Sequence, residues 1–403
     1  MVLGYEDDLI ARFAELFVAA YDVDVINARA FGLGEQVVMI LQGQLVNQST
    51  ASNLVGQKSP GGWTIVRQLP RPGEAGAEDQ TGSWFSIGYI ATKDGKEAFL
   101  KVIDIERALL PREGTTLIGR LKEVTDSHGF ECSILDICTK AKLDRIVRIL
   151  EKGELPPLAG TLVPVPYILF ELADGDVRKV VSRSNKLDDA WRLKVLHDVA
   201  VGLQQLHGQE IAHQDLKPSN VLIFDGAGKG AKIGDLGRAS RKGMDANHDN
   251  LVIAGARNYA PPEQIYGIIP ERWVERRESC DLYHLGTLAM FIFAGVTPTD
   301  RYLQELHEDI RPRVWQGKGT CEYSVALPVL TATFTALVEE IKADLPVWAK
   351  DELAQILLNA CNPDYKKRGD PDARKRAGSP IGIDTFVSRF DRLAKRALVE
   401  LRT

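Results

Sequence analysis

One stretch constrains this chain more than any other. Ile211-Ala212-His213-Gln214-Asp215-Leu216-Lys217-Pro218-Ser219-Asn220-Val221-Leu222 is followed shortly by Lys232-Ile233-Gly234-Asp235-Leu236-Gly237. Two acids, an amide and a lysine stand between short apolar runs. Asp215 and Asp235 are 20 positions apart, which fits two neighbouring short hairpins converging on one place. The fold must therefore set short paired strands beside one another with polar loops at a common end.

Periodicity places this stretch between two kinds of sequence. Upstream, Trp63 to Leu69, Phe85 to Thr92 and Glu97 to Asp104 are rich in β-branched and aromatic residues, with a hairpin turn at Lys93-Asp94-Gly95-Lys96. A helical region carrying Glu131, Ile134, Leu135 and Cys138 follows, then strand-like runs at Arg145 to Leu150 and Val165 to Leu172. Beyond Asp174 the pattern is mainly helical: Leu193, Leu196, Val199, Ala200, Leu203 and Leu206 line one face of a helix ending at His207. Further helices are expected over Cys280 to Ala294, Val329 to Ala343, Pro346 to Cys361 and Asp384 to Leu401, the last with Asp384 as its N-cap and Phe386, Phe390, Leu393, Ala397 and Leu401 inward.

The expected fold class is α+β and bilobal: a small antiparallel sheet with one main helix, then a larger, mainly helical lobe. An amphipathic helix with Leu9, Ile10, Phe13, Leu16, Phe17 and Ala20 on its stripe opens the chain, and the polar run from Gly43 to Gly62 reads as a linker. The division is 1–60 extension, 61–173 small lobe and 174–403 large lobe.

Composition enters as a set of exclusions. With 50 Lys+Arg against 55 Asp+Glu, a net charge of −5, the chain lacks the basic excess of a nucleic-acid binder. The longest apolar stretch, Leu285 to Val296, is shorter than a membrane span, so no membrane partner is expected. Five cysteines without a C-x-x-C pair fit reduced thiols, and an acidic start is unlike a secretory signal, so a cytoplasmic location is expected.

The Ile211 to Gly237 stretch resembles the catalytic and metal loops of eukaryotic-type (Hanks-type) serine/threonine protein kinases, H-R-D-L-x-x-x-N and D-F-G. The resemblance implies that Asp215 accepts the proton of the substrate hydroxyl, that Lys217 stands by the γ-phosphate of ATP, and that Asn220 and Asp235 hold Mg²⁺. Lys217, two positions after Asp215, resembles the serine/threonine-specific pattern. His213 and Gly237 are the structural members of the two motifs. Other motifs occur in the family's order: Lys101 in Ala98-Phe99-Leu100-Lys101-Val102 as the phosphate-clamping lysine, with Glu131 as its partner on the next helix. Gly255 to Glu263 resembles the end of an activation segment, and Glu263 would pair with Arg368. Asp281 resembles the helix acid that braces the catalytic loop. The resemblance places adenine against Glu171-Leu172-Ala173, with Phe170 before it and Leu222 beneath, and makes Asp176 a ribose candidate.

Three departures modify these implications. The phosphate-covering loop lacks the regular G-x-G-x-x-G; Gly82 in Pro70 to Trp84 best matches its central glycine. Phe99 stands where a small residue roofs the base, on the side of the strand that Lys101 occupies. Gln214 replaces the arginine of H-R-D, and the segment from Asp235 to Glu263 has no threonine, Ser240 and Tyr259 being its only hydroxyls. Activity independent of activation-loop phosphorylation is the expectation, with ATP, Mg²⁺ and a protein substrate as partners and possible self-phosphorylation. A pseudokinase serving as a scaffold and a small-molecule phosphotransferase of the aminoglycoside type are the two alternatives. The sequence leaves oligomeric state open.

Overall fold

The computed structural model describes residues 49–70, 85–110, 113–156, 164–183, 187–226, 228–312, 321–376 and 381–401. It divides into two compact units: one of residues up to Cys132 together with Arg148–Leu172, and one of Ser133–Val147 together with Ala173 onward. The expected opening helix and the Gly82 loop lie outside the described residues.

The first unit is built on five strands, β1 (Thr64–Gln68), β2 (Ser86–Lys93), β3 (Lys96–Ile103), β4 (Ile149–Leu155) and β5 (Val165–Glu171). They form one antiparallel sheet in the order β1-β2-β3-β5-β4. Alternation along β3 sends Ala98, Leu100 and Val102 into the core and leaves Phe99, Lys101 and Ile103 on the half-buried face. A short helix α1 (Ile105–Ala108), capped by Asp104, leads to the long helix α2 (Leu117–Lys140).

Two boundaries differ from the sequence expectation. The strand expected at Arg145 to Leu150 starts at Ile149 and runs on to Leu155, through the polar Glu151-Lys152-Gly153-Glu154. Residues 49–59, read as the end of a linker, are packed into the sheet's core. Ala51 and Leu54 are buried with Ile65, Tyr89 and Leu100, and the Tyr89 hydroxyl donates to the Ala51 carbonyl at 2.6 Å. The polar residues that made this run look like linker are bonded within the unit: Ser49 Oγ donates to Asp104 (2.9 Å) and Thr50 Oγ1 to Glu106 (2.7 Å).

The second unit begins with β6 (Gly175–Asp176), α3 (Val177–Arg183) and α4 (Asp189–His207), whose apolar stripe from Leu193 to Leu206 is fully buried. The short strands β7 (Ile211–Ala212), β8 (Val221–Phe224), β9 (Gly230–Ile233) and β10 (Ser240–Arg241) pair as β6-β8-β9 and β7-β10. Then follow α5 (Pro262–Ile265), α6 (Ser279–Ala294), α7 (Pro298–Glu305), α8 (Tyr323–Ile341), α9 (Lys350–Ala360) and α10 (Ile383–Glu400). Nearly every residue of α6 is buried, so the longest apolar stretch is a core helix. Helix α8 is the one described helix long and apolar enough to cross a membrane; its buried side, Ala326, Leu330, Phe334, Leu337 and Ile341, serves the unit's core. Two readings of α10 are corrected. Its N-cap is Gly382 in a left-handed conformation (φ 69°), not Asp384, and Leu401 lies past its end, 59% exposed.

Candidate active site

The first unit carries one part of the predicted constellation. Lys101 projects from β3 between Gly88 of β2 and Ile168 of β5, and its Nζ donates to Glu131 Oε1 at 2.8 Å and Oε2 at 3.0 Å. The Glu131 side chain is 6% exposed and that of Lys101 15%, so the attraction is little screened by water. The predicted Lys101–Glu131 pairing is therefore present. One turn before Glu131, His128 is neutral: burial first, then the positive Lys101 and Lys152, bring its pKa down to about 4.

The ring of Phe99 has a specific seat. It stacks on Phe170 with centroids 6.3 Å apart and lies over Gly88, where an added Cβ would come within 2.9 Å of it. A missing side chain on β2 thus accommodates an extra ring on β3. Sequence reading noticed the ring but not the glycine across the ladder. Glu171 is held at the end of β5 by reciprocal bonds with Arg148, whose N–H donates to the Glu171 carboxylate (3.0 Å).

The second unit carries the two loops. His213, Gln214 and Asp215 follow β7, and a 3₁₀ turn over Pro218–Asn220 leads into β8. The buried Asp281 of α6 organises the backbone: its Oδ2 accepts from the His213 N–H and its Oδ1 from the Gln214 N–H, both at 2.8 Å, while His207 Nε2 lies 3.0 Å away. Burial alone would raise this carboxyl's pKa, but the bond and charge of His207, with His213 and the Gln214 N–H, hold it below the ordinary value. Asp281 thus stays ionised and holds Gln214 at φ 65°, a left-handed conformation uncommon for a non-glycine residue.

Tautomer follows from geometry at His213. Its Nδ1 receives the Asp215 N–H (3.2 Å) and so is unprotonated, which leaves Nε2 to donate to the Gly234 carbonyl (3.0 Å). This bond, and that from the Gly234 N–H to the Asn220 carbonyl (2.8 Å), tie the residue before Asp235 to the catalytic loop. Asp235 itself is exposed, at φ 55°, one residue past that tie. Leu222 fills the space above Gly234, where a Cβ would meet it at 2.9 Å.

Asp215 is fixed from three directions, its side chain from two and its backbone from the third. Lys217 Nζ donates to Oδ2 at 2.7 Å, the Ala256 N–H donates to Oδ1 at 2.7 Å, and the Asn220 amide donates to the Asp215 carbonyl at 2.8 Å. The Ala256 bond was not foreseen: it comes from a backbone N–H, in a segment where only the missing threonine had been noted. Since Asn220 uses its Nδ2 toward Asp215, its Oδ1 is turned the other way. One amide oxygen and one exposed carboxylate, Asn220 and Asp235, are hard oxygen donors of the kind Mg²⁺ accepts when phosphate oxygens and water complete its shell. Among the described residues no group of three or more His, Cys, Asp or Glu could hold a metal on its own.

The remaining predicted residues fall into place as structure. Arg368 and Glu263 form a bidentate pair at 2.8 and 2.7 Å with side chains 0% and 2% exposed. Burial alone would lower the guanidinium's pKa; the Glu263 carboxylate overrides it and raises it. Gly237 is half-buried just after Asp235, and Ala173 opens the second unit. Asp176 caps α3 by accepting the Lys179 N–H (3.0 Å). Sequence reading missed Arg277, a buried guanidinium whose Nη1 donates to Gln214 Oε1 at 3.1 Å. The available signal was its spacing: it lies four residues before Asp281, one helical turn away.

The same residues govern comparison with known proteins. The protein kinase domain family matches residues 121–373. Inhibitor of nuclear factor kappa-B kinase subunit alpha of Gallus gallus is 28% identical over 261 residues, covering 60% of this chain and 31% of that protein. Serine/threonine-protein kinase PknB of Mycobacterium leprae is 26% identical over 265 residues, covering 63% of this chain and 40% of PknB. Ribosomal protein S6 kinase 2 alpha of Xenopus laevis is 30% identical over 157 residues, covering 38% of this chain and 20% of that protein. The chain thus spans well under half the length of these relatives. With the family match extending over more than half of the sequence and the loops folded as described, this chain belongs to the eukaryotic-type (Hanks-type) protein kinase family.

Proposed function

We propose that the chain is a Mg·ATP-dependent serine/threonine protein kinase, transferring the γ-phosphoryl group to protein hydroxyls and acting without activation-loop phosphorylation. The observation that carries this reading is the Asp215 carboxylate, oriented by Lys217, the Ala256 N–H and the Asn220-braced loop. Pre-orientation of this kind is what phosphoryl transfer asks of a protein, because the reaction needs positioning and charge stabilisation more than covalent help.

The family resemblance supplies the roles, and these contacts are compatible with them. The substrate hydroxyl oxygen bonds to the γ-phosphorus as the bond to the β,γ-bridging oxygen breaks, and its proton passes to Asp215. Lys217, already beside that carboxylate, supplies positive charge near the transferring group. Lys101, held by Glu131, clamps the α- and β-phosphates. Asn220 and Asp235 would hold Mg²⁺, which would offset the charge of the phosphate oxygens. The relatives' printed names, PknB among them, support a serine/threonine preference. Independence from segment phosphorylation is supported by Ser240, 0% exposed with its hydroxyl donated to Asp249 (2.6 Å).

The test is incubation with labelled ATP, Mg²⁺ and protein acceptors. Transfer to serine or threonine by the wild type, lost at least a hundredfold in Asp215→Asn, is expected; an Asp215→Asn variant with full activity refutes the assignment. Phe99 favours one second reading, a nucleotide-binding module without turnover. It predicts a thermal shift with Mg·ATP but no transfer to any acceptor.

A further inference from the structure

The segment that follows Asp235 contains a carboxylate whose oxygens are nearly all engaged. Asp249 Oδ1 accepts from Ser240 Oγ and from Arg277 Nη2, each at 2.6 Å, and Oδ2 accepts from the Ala246 N–H at 2.8 Å. Its backbone carbonyl accepts from Arg276 and, at 3.2 Å, from Arg277. Arg277 is 4% exposed and lies in a π-helical turn, Val274–Glu278, just before α6. Turns of this kind concentrate at functional sites.

The guanidinium links this anion to the catalytic loop. Nη1 donates to Gln214 Oε1 (3.1 Å), and Gln214 Nε2 donates in return to the Arg277 carbonyl (2.9 Å). Glutamine carries no positive charge to offer an anion, but here it need only exchange two hydrogen bonds with an arginine that does. The far end of the same segment closes on the loop independently. The Ala256 N–H bonds Asp215, and a Cβ on Gly255 would sit 2.4 Å from the Gln214 carbonyl oxygen.

We propose that Asp249 and Arg277 are positioning residues for phosphoryl transfer: a permanent ion pair that fastens the segment between Ser240 and Ala256 to Gln214 and so fixes the Asp215 carboxylate. The proposal rests on the kinase reading above. Asp249 supplies from within the chain the negative charge that a phosphate would have to bring from outside, and Arg277 supplies the cation that position 214 lacks. The one serine of the segment, Ser240, is buried against Asp249, so a phosphoryl group there would set like charges together and break the clamp.

The experiment is a double-mutant cycle on the full chain: Asp249→Asn, Arg277→Gln and the two combined, each assayed for kcat and KM and for amide hydrogen exchange at Ala256. Each single substitution is expected to lower kcat on the order of ten- to a hundredfold with KM for ATP within about twofold, because misplacement and not binding is the defect. Exchange at Ala256 should quicken in parallel, and the combined variant should fall no further than the worse single. Asp249→Glu should recover part of the loss. If the charge-removing variants fail to fold, Ser240→Ala removes one support of the carboxylate with no charge change and is expected to lower kcat roughly two- to fivefold in a protein that still folds. A folded Asp249→Asn protein with kcat within twofold of wild type, or a Ser240→Ala protein at full activity where the others do not fold, overturns the clamp and leaves the kinase reading standing. A wild type that transfers no phosphate to any acceptor overturns the reading and the clamp with it.

Discussion

Replacing Glu263 by glutamine is the sharpest test of how this fold separates stability from chemistry. The substitution keeps the shape of the side chain and removes its charge. Arg368, 0% exposed, would keep its weaker contacts to the Asn362 carbonyl (3.0 Å) and to Ser279 (3.2 and 3.3 Å), but its two carboxylate bonds would be reduced to one neutral bond. A guanidinium does not shed its proton, so the uncompensated charge stays buried. Removing one member of such a pair costs about 3–5 kcal/mol, and the contacts that survive place this case near the lower figure. For a unit of this size each kcal/mol moves the midpoint by ~2–4 °C, so a loss of roughly 6–12 °C in Tm is expected for the transition of the second unit. The assay is thermal and urea unfolding of Glu263→Gln beside Glu263→Leu/Arg368→Met. The double variant removes both charges and should regain at least half of the lost stability. Transfer activity at 15 °C, where Glu263→Gln is still folded, should stay within about threefold of wild type. A single variant within about 1 kcal/mol of wild type, or a double variant no better than the single, would refute the reasoning.

Three more outcomes follow from particular contacts. Gly255→Ala should lower kcat by on the order of tenfold or more in a protein that still folds, with a stability loss of about 1–3 kcal/mol, since the new Cβ would press on the Gln214 carbonyl at 2.4 Å and on Asp215 Oδ1 at 2.7 Å; steady-state kinetics equal to wild type would contradict this. Gly88→Val should destabilise the first unit by about 1–3 kcal/mol by driving into the Phe99 ring, and Phe99→Ala added to it should restore stability, as read by urea midpoints. His128 and His284 both have native pKa values near 4, each lowered chiefly by burial, against 6.5 when unfolded. The unfolded chain therefore binds these protons first. Stability is fully present above pH ~6.5 and declines as pH falls toward 4, by up to ~1.4 kcal/mol per pH unit for each histidine. Urea midpoints that stay level from pH 7 to pH 4.5 would rule this out, and His284→Gln should flatten the decline in the second unit.

The catalytic and metal loops were legible because their polar residues are contiguous in sequence and bracketed by apolar runs that could only be short strands. Asp281, Glu263 and Arg368 were legible only through the family resemblance, which supplied their motifs and the Glu263–Arg368 pairing across 105 positions. Residues 49–59 were not, because hydroxyls that bond Asp104 and Glu106 give the same composition as a solvated linker. Asp249 and Arg277 escaped because their partnership spans 28 positions and neither lies in a recognisable motif. The strand expected at Arg145 to Leu150 was misplaced, and its run to Leu155 escaped, because Glu151-Lys152-Gly153-Glu154 in its middle is polar.

Position 214 carries a consequence of its own. Its backbone is bent into a region that glycine, asparagine and other unbranched residues enter at modest expense and that valine, isoleucine, threonine and proline resist. A saturation library at this codon should therefore sort by the shape at Cβ before it sorts by polarity. Lineages drifting here would exchange glutamine for arginine, lysine, histidine or asparagine, while proline and the residues branched at Cβ stay closed to them.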